Sequence, residues 1–174
     1  RRIFPGKANK VLLNGDFVLH KLTHEVNAGR FAIVHLAAHG RFDRSSQNSF
    51  VMIRDGQLNL DDLERLIRPK QYHGQPVELL TLSACQTAAG GEHAALGLAG
   101  VAVKSGARST LATLWNVNDE TTSRLVFEFY SQLRHDPTLS KAKALQAAQL
   151  KLLREPFSSH PCLWSPYLII GNWL

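Results

Sequence analysis

His39 and Cys85 are the residues best suited to do chemistry together, because an imidazole beside a thiol can take its proton. The resulting thiolate is the form of cysteine that attacks a carbonyl carbon. Each residue follows an apolar, β-rich run, His39 after residues 31–38 and Cys85 shortly after residues 77–82. Such runs are typical of parallel strands buried on both faces. The pattern favours a cysteine nucleophile with a histidine base, provided that the two strands are neighbours.

Both residues also have ordinary structural explanations, which the residue types alone leave open. Cysteine is among the most buried residue types, and a histidine at a strand end is often a satisfied polar side chain. A zinc site is not expected, because Leu36 stands between His35 and His39 where the H-E-x-x-H motif has glutamate. Covalent catalysis by a cysteine requires neither a metal nor a cofactor.

The elements predicted around these residues alternate between strands and helices. We predict strands over residues 11–13, 31–38, 77–82, 110–115 and 167–170, and helices over residues 16–28, 61–66 and 92–104. Two further helices follow, one capped by Asn118 or Asp119 and one that begins at Thr138 or Ser140. This alternation indicates an α/β fold with a mostly parallel central sheet.

The carboxyl ends of parallel strands form the ligand-binding edge of such a sheet. Neighbouring strands would therefore bring His39 and Cys85 together. The backbone N–H groups of Gly40 and Cys85 are then placed to bind the oxyanion of an acyl-transfer intermediate. A small antiparallel hairpin is predicted beside the sheet, where residues 49–53 and 57–60 flank Asp55-Gly56.

The bulk properties predict one domain over residues 1–174. The chain is 44% hydrophobic and 20% charged, which is typical of a soluble globular protein. It begins at Arg1 rather than at methionine, so we expect it to be part of a larger protein. Two cysteines are too few for a secreted disulfide framework and fit a reduced, cytoplasmic setting. No apolar run is long enough for a membrane span.

The net charge of +6 does not indicate nucleic-acid binding, because the basic residues are spread along the chain rather than clustered. A nucleotide-binding α/β module is a rival interpretation of the fold. It would need a phosphate loop, and the sequence contains neither G-x-x-x-x-G-K-[ST] nor G-x-G-x-x-G.

Several segments, in order along the chain, resemble the CHAT domain, a caspase-like family of the same clan as separase (clan CD) that is often fused to tetratricopeptide repeats. They are HLAAHG (35–40), LSACQT (82–87), GLAGVAVKSGA (97–107), LATLWNV (111–117), EFYSQL (128–133) and HPCLWSPYLIIG (160–171). The resemblance implies a caspase-like three-layer sandwich. It maps the family's catalytic histidine and cysteine onto His39 and Cys85, and implies a regulatory tetratricopeptide-repeat region in the same or a partner chain.

Residues 114–119 are also similar to a separase motif in which an acidic residue helps bind a basic side chain before the cleaved bond. Asn116, which follows Trp115, is not acidic. If Asp119 carries that role, the resemblance implies cleavage after Arg or Lys, with Trp115 as a wall of the specificity pocket. The alternative is that Asp119 is only a helix N-cap.

Together these features predict a cytoplasmic cysteine endopeptidase that hydrolyses a protein substrate through an acyl-enzyme formed on Cys85. The rival prediction is a catalytically silent caspase-like domain that serves interaction or signalling. Such a domain would keep the sheet and could keep both residues by inheritance, so the sequence discriminates poorly between the two.

Overall fold

The computed structural model describes residues 9–28, 31–42, 48–68, 76–83 and 104–174. Within these ranges the helices are α1 (Leu19–Ala28), α2 (Leu60–Ile67), α3 (Asp119–His135), α4 (Lys141–Leu153) and α5 (Pro161–Trp164). The strands are β1 (Ile33–Leu36), β2 (Gly40–Arg41), β3 (Phe50–Ile53), β4 (Gly56–Asn59), β5 (Leu79–Leu82), β6 (Ser109–Thr113) and β7 (Tyr167–Gly171).

The main sheet has the strand order β1-β5-β6-β7. β1, β5 and β6 are parallel, and β7 joins β6 in the antiparallel sense. Every residue of β5 and β6 is buried, as expected for strands covered on both faces. The prediction of an α/β fold with a mostly parallel sheet is confirmed.

Successive side chains of β5 point to opposite faces of the sheet and enter two separate clusters. Leu80 and Leu82 pack with buried residues of α1 and α2. Leu79 packs with buried residues of α3 and α4 on the other face. Each such leucine stabilises the fold by about 1.5–3 kcal/mol when fully buried. The result is three layers, with helices on both faces of the sheet, as in the predicted sandwich.

The two long helices begin at residues whose side chains cap the helix amino terminus. Asn118 Oδ1 accepts a hydrogen bond of 2.8 Å from the N–H of Thr121, at the start of α3. Ser140 Oγ accepts one of 3.3 Å from the N–H of Lys143, at the start of α4. Of the alternatives predicted, the caps are therefore Asn118 and Ser140, each worth about 1 kcal/mol.

A second, three-stranded antiparallel sheet has the order β2-β3-β4. The predicted hairpin is confirmed as β3 and β4, and Gly40–Arg41 extends it to three strands. Its turn is Arg54-Asp55 rather than Asp55-Gly56, because Gly56 pairs with Ile53 as the first strand residue. Gly56 has φ +151°, and the Asp55 carboxylate accepts the N–H of Leu19 at the start of α1. This hydrogen bond links the hairpin turn to the start of α1.

The predicted strand over residues 11–13 is wrong. Val11 and Leu13 are 69% and 67% exposed, while Leu12 packs against the core. A 3₁₀ turn, Asn14–Asp16, follows directly and closes with the N–H of Phe17 on the carbonyl of Asn14. The turn includes Asp16, which was predicted to start the helix, and α1 begins at Leu19 instead.

Most of the helix predicted over residues 92–104 lies outside the described residues. Gly106, two residues beyond the predicted end, has φ +73°, the left-handed conformation typical of a residue after a helix. The short helix α5 was not predicted; Pro161 occupies its first turn and His160 caps it. Among the residues described, no helix has both the length and the apolar character needed to cross a membrane.

Candidate active site at the strand ends

The carboxyl ends of β1 and β5 lie side by side. Leu36 is in register with Leu82, and the N–H of Ser83 donates a hydrogen bond of 3.1 Å to the carbonyl of Leu36. His39 follows β1 closely, and only Ala84 separates Ser83 from Cys85. Cys85 itself lies outside the described residues, so the contact between the two side chains stays a prediction. The strands that lead to them are neighbours.

His39 lies where the chain passes from the main sheet to the small sheet. Its carbonyl accepts a hydrogen bond of 2.7 Å from the N–H of Met52 on β3. Its side chain is exposed and has no hydrogen-bond partner among the described residues. The backbone of His39 is thus anchored to β3, while no described residue competes for its imidazole.

Gly40 is buried and pairs with Val51. Because Met52 donates to the carbonyl of His39, Gly40 and Val51 form the non-hydrogen-bonded kind of antiparallel pair. In such a pair the N–H groups of both residues point away from the partner strand. The Gly40 N–H is therefore not used by the ladder, which is what an oxyanion-hole donor requires.

An apolar groove of about 650 Å³ runs along the outer edge of β1 and reaches His39. Its other walls are residues 10–14, α1 and residues 52–54. The volume is within the range of about 300–1,000 Å³ that is usual for ligand sites. There is room beside His39 for part of a substrate.

Trp115 follows the carboxyl end of β6, at the same edge of the sheet. It is 36% exposed, and its Nε1–H donates a hydrogen bond of 2.9 Å to the carbonyl of Cys162. Asn116 is exposed. Asp119 is the first residue of α3 and is exposed, with no ion pair among the described residues. The explanation of Asp119 as an N-cap is wrong, because Asn118 holds that position.

A polar network joins β1, β5 and α3 below the strand ends. His35 Nε2 lies 2.6 Å from Ser83 Oγ, and the imidazole ring packs against Tyr130 with centroids 5.9 Å apart. The Tyr130 hydroxyl lies 2.7 Å from Thr81 Oγ1. From the sequence alone, His35 is a candidate only for a zinc site, which is not expected there. The signal that could have found this contact is the period of two, which places His35, Thr81 and Ser83 on one face of adjacent strands.

The second cysteine, Cys162, is exposed and is not in a disulfide. Its Sγ lies 2.9 Å from Nδ1 of His160. An exposed thiol beside an imidazole makes Cys162 the natural comparison for Cys85 in any labelling experiment. Within the described ranges, no group of three or more His, Cys, Asp or Glu side chains is arranged to hold a metal ion.

The family model described as CHAT domain matches residues 1–172 of the chain. A comparison with curated proteins finds no match. The matched region contains both His39 and Cys85, together with the whole of the main sheet.

Proposed function

The chain belongs to the CHAT domain family, and from this membership together with the strand-end geometry we propose that it is a caspase-like cysteine endopeptidase. Cys85 is the nucleophile and His39 is its base. The observation that carries the proposal is the pairing of β1 with β5, which sets His39 and the segment leading to Cys85 at one edge of a parallel sheet.

In the proposed reaction, His39 takes the thiol proton and the Cys85 thiolate attacks the carbonyl carbon of a peptide bond. The N–H groups of Gly40 and Cys85 donate hydrogen bonds to the oxyanion. The amine leaves with the proton held by His39, and an acyl-enzyme remains on Cys85. Water, deprotonated by His39, then attacks the acyl-enzyme, and the carbon–sulfur bond breaks to release the carboxylate. Cys85 leaves as the thiolate and regains its proton from His39.

The availability of the Gly40 N–H supports this mechanism. Loss of one oxyanion-hole donor typically lowers turnover by about 100- to 1,000-fold, so a site without free donors would be a poor catalyst. The groove beside His39 supports a polypeptide substrate, because an extended chain needs space on both sides of the bond that is cleaved. We extend the proposal to a protein substrate, with access regulated by tetratricopeptide repeats elsewhere in the same or a partner protein.

A peptide-based electrophile, such as a peptidyl chloromethyl ketone, tests the proposal. We expect it to modify Cys85 and not Cys162, because only Cys85 follows β5 closely in the chain, next to the strand end that leads to His39. Intact-mass measurement followed by peptide mapping locates the adduct. The His39→Ala variant should lose this labelling, while a His160→Ala variant should keep it.

The same experiment decides between the proposal and a catalytically silent interaction domain. Preferential labelling of Cys162, or labelling of neither cysteine with or without a repeat-containing partner, would favour the silent domain. Labelling of Cys85 that is unchanged in His39→Ala would remove the base from the mechanism.

For specificity, we propose that Asp119 favours substrates with Arg or Lys before the cleaved bond. Its carboxylate is exposed at the start of α3 and has no competing cation among the described residues. An exposed ion pair is worth about 0.2–1 kcal/mol, so the preference should be modest. We expect Asp119→Asn to reduce kcat/KM for an Arg substrate by up to about fivefold, with little effect on an Ala substrate.

Glu120 supplies the matched control, since it is the next residue, is also exposed and is also in the first turn of α3. Glu120→Gln should leave the ratio of Arg to Ala cleavage unchanged. Equal effects of the two substitutions would show only a general influence of negative charge and would contradict a specific role for Asp119.

A further inference from the structure

The hydrogen bond between His35 and Ser83 joins the two strands whose ends carry the proposed dyad. Nε2 of His35 lies 2.6 Å from Oγ of Ser83. His35 precedes His39 in the segment HLAAHG, and Ser83 precedes Cys85 in the segment SAC. A single side-chain contact therefore links the last part of β1 to the residue from which the chain continues towards Cys85.

The contact is supported from both sides. Ser83 is tied to β1 a second time, by its N–H to the carbonyl of Leu36 at 3.1 Å. The His35 ring packs against Tyr130, whose hydroxyl bonds Thr81 at 2.7 Å, and Thr81 is the register partner of His35. The position of the imidazole is thus defined by two strands and by α3.

The charge state of His35 argues against a catalytic role of its own. His35 is exposed as a residue of the edge strand β1, but its ring packs against Tyr130. Desolvation of the ring lowers the pKa of His35 to about 4. A neutral imidazole with so low a pKa is a weak base at pH 7, so it is poorly suited to activate Ser83 as a nucleophile. A neutral ring can still hold a hydroxyl group as a donor or an acceptor.

We propose that His35 is a positioning residue, which through Ser83 fixes the start of the segment that carries Cys85 relative to the strand end that carries His39. The inference rests on the proposed function, since it concerns the geometry of the same dyad. It predicts that loss of the contact impairs formation of the reactive thiolate more than it impairs folding or substrate binding.

The test measures alkylation of Cys85 by iodoacetamide as a function of pH, in a Cys162→Ser background so that one thiol reacts. Iodoacetamide is small and reacts with any accessible thiolate, so the measurement does not depend on peptide binding. We expect the rate at pH 7 to fall by about 10- to 100-fold in His35→Leu and in Ser83→Ala, as a displacement of about 1 Å can produce. The midpoint of the pH profile should move towards that of a free thiol, about 8.5.

Two further variants separate positioning from a general loss of structure. His35→Gln places an amide near the position of Nε2 and should restore most of the rate. Thr110→Val changes a buried hydroxyl on β6 that has no hydrogen-bond partner in the part of the chain that the structure describes, and it should leave the profile unchanged. The double variant His35→Leu/Ser83→Ala should lower the rate no further than either single variant, because both remove the same contact.

An unchanged pH profile in both His35→Leu and Ser83→Ala would overturn the inference, as would additive effects in the double variant. Labelling of Ser83 by a fluorophosphonate would also overturn it, since Ser83 would then be a nucleophile. If only the proposed function fails, wild-type Cys85 will not react with the peptide electrophile. The iodoacetamide profiles will still show whether His35 positions Cys85.

Discussion

Replacement of His39 by Ala is expected to lower kcat/KM for peptide hydrolysis by about 10²- to 10⁴-fold, the usual contribution of a general base. The structure anchors the His39 backbone to β3 and leaves its imidazole without a hydrogen-bond partner among the described residues. Removal of the ring should therefore affect chemistry and leave the fold intact. Replacement of Cys85 by Ala should abolish turnover through the acyl-enzyme altogether. Hydrolysis of a fluorogenic peptide measures both effects.

His24 and Cys162 supply the controls for these substitutions. His24 is an exposed histidine of α1, and Cys162 is the exposed second thiol. His24→Ala and Cys162→Ser should each keep kcat/KM within about twofold of wild type. Neither side chain belongs to the proposed dyad, and the substitution at Cys162 leaves in place the backbone carbonyl that accepts from Trp115. Full activity of His39→Ala, or loss of activity in Cys162→Ser, would contradict the assignment of the dyad.

The sequence predicts the parallel core of this fold well, because buried parallel strands leave a strong signal. Residues 31–38 and 77–82 are nearly continuous apolar runs, and each contains the strand that the structure shows. The sequence narrows each amino-terminal cap to two polar residues, and the structure selects Asn118 and Ser140 from these pairs. The run 31–38 extends past β1 at both ends and the run 77–82 extends past β5 at its start, because an apolar run continues beyond the hydrogen-bonded ladder.

The short apolar segment 11–13 shows where such a signal fails. Three apolar residues suit a strand, but a strand also needs a partner, and nothing in a local pattern provides one. The chain instead enters the turn Asn14–Asp16, in which Asn14 adopts φ +50°, a conformation that Asn tolerates better than most residues. The choice between strand and turn depended on tertiary contacts that no window of sequence contains.

The candidate site also contains one part that the sequence identifies and one part that only the structure shows. Local motifs and their order identify His39, Gly40 and Cys85 as candidates, but the link between His35 and Ser83 depends on the register of β1 against β5. A shift of one residue would turn the Ser83 side chain to the opposite face of the sheet. Register is set by the packing of both faces, so a contact of this kind becomes visible only in the assembled fold.

Packing of α3 on the sheet has the largest expected effect on stability, and Phe129 is its centre. The side chain is 0% exposed and lies in the cluster that joins α3 and α4 to Leu79 of β5 and Leu111 of β6. We expect Phe129→Ala to destabilise the protein by about 3–5 kcal/mol, from lost burial and from the cavity that remains. For a domain of this size, that lowers Tm by roughly 6–20 °C, which a thermal unfolding curve measures.

Phe127 is a matched control, since it is the same residue type on the same helix but is 44% exposed. Phe127→Ala should change stability by no more than about 0.5 kcal/mol, as is usual for surface positions. The ring centroids of Phe129 and Tyr130 lie 5.3 Å apart, and the Tyr130 ring packs on His35. Loss of the Phe129 ring should therefore loosen the Tyr130 ring. Below its Tm, Phe129→Ala should therefore lose part of its Cys85 reactivity while still folded. Equal stability of the two variants would show that α3 is not held to the sheet through Phe129.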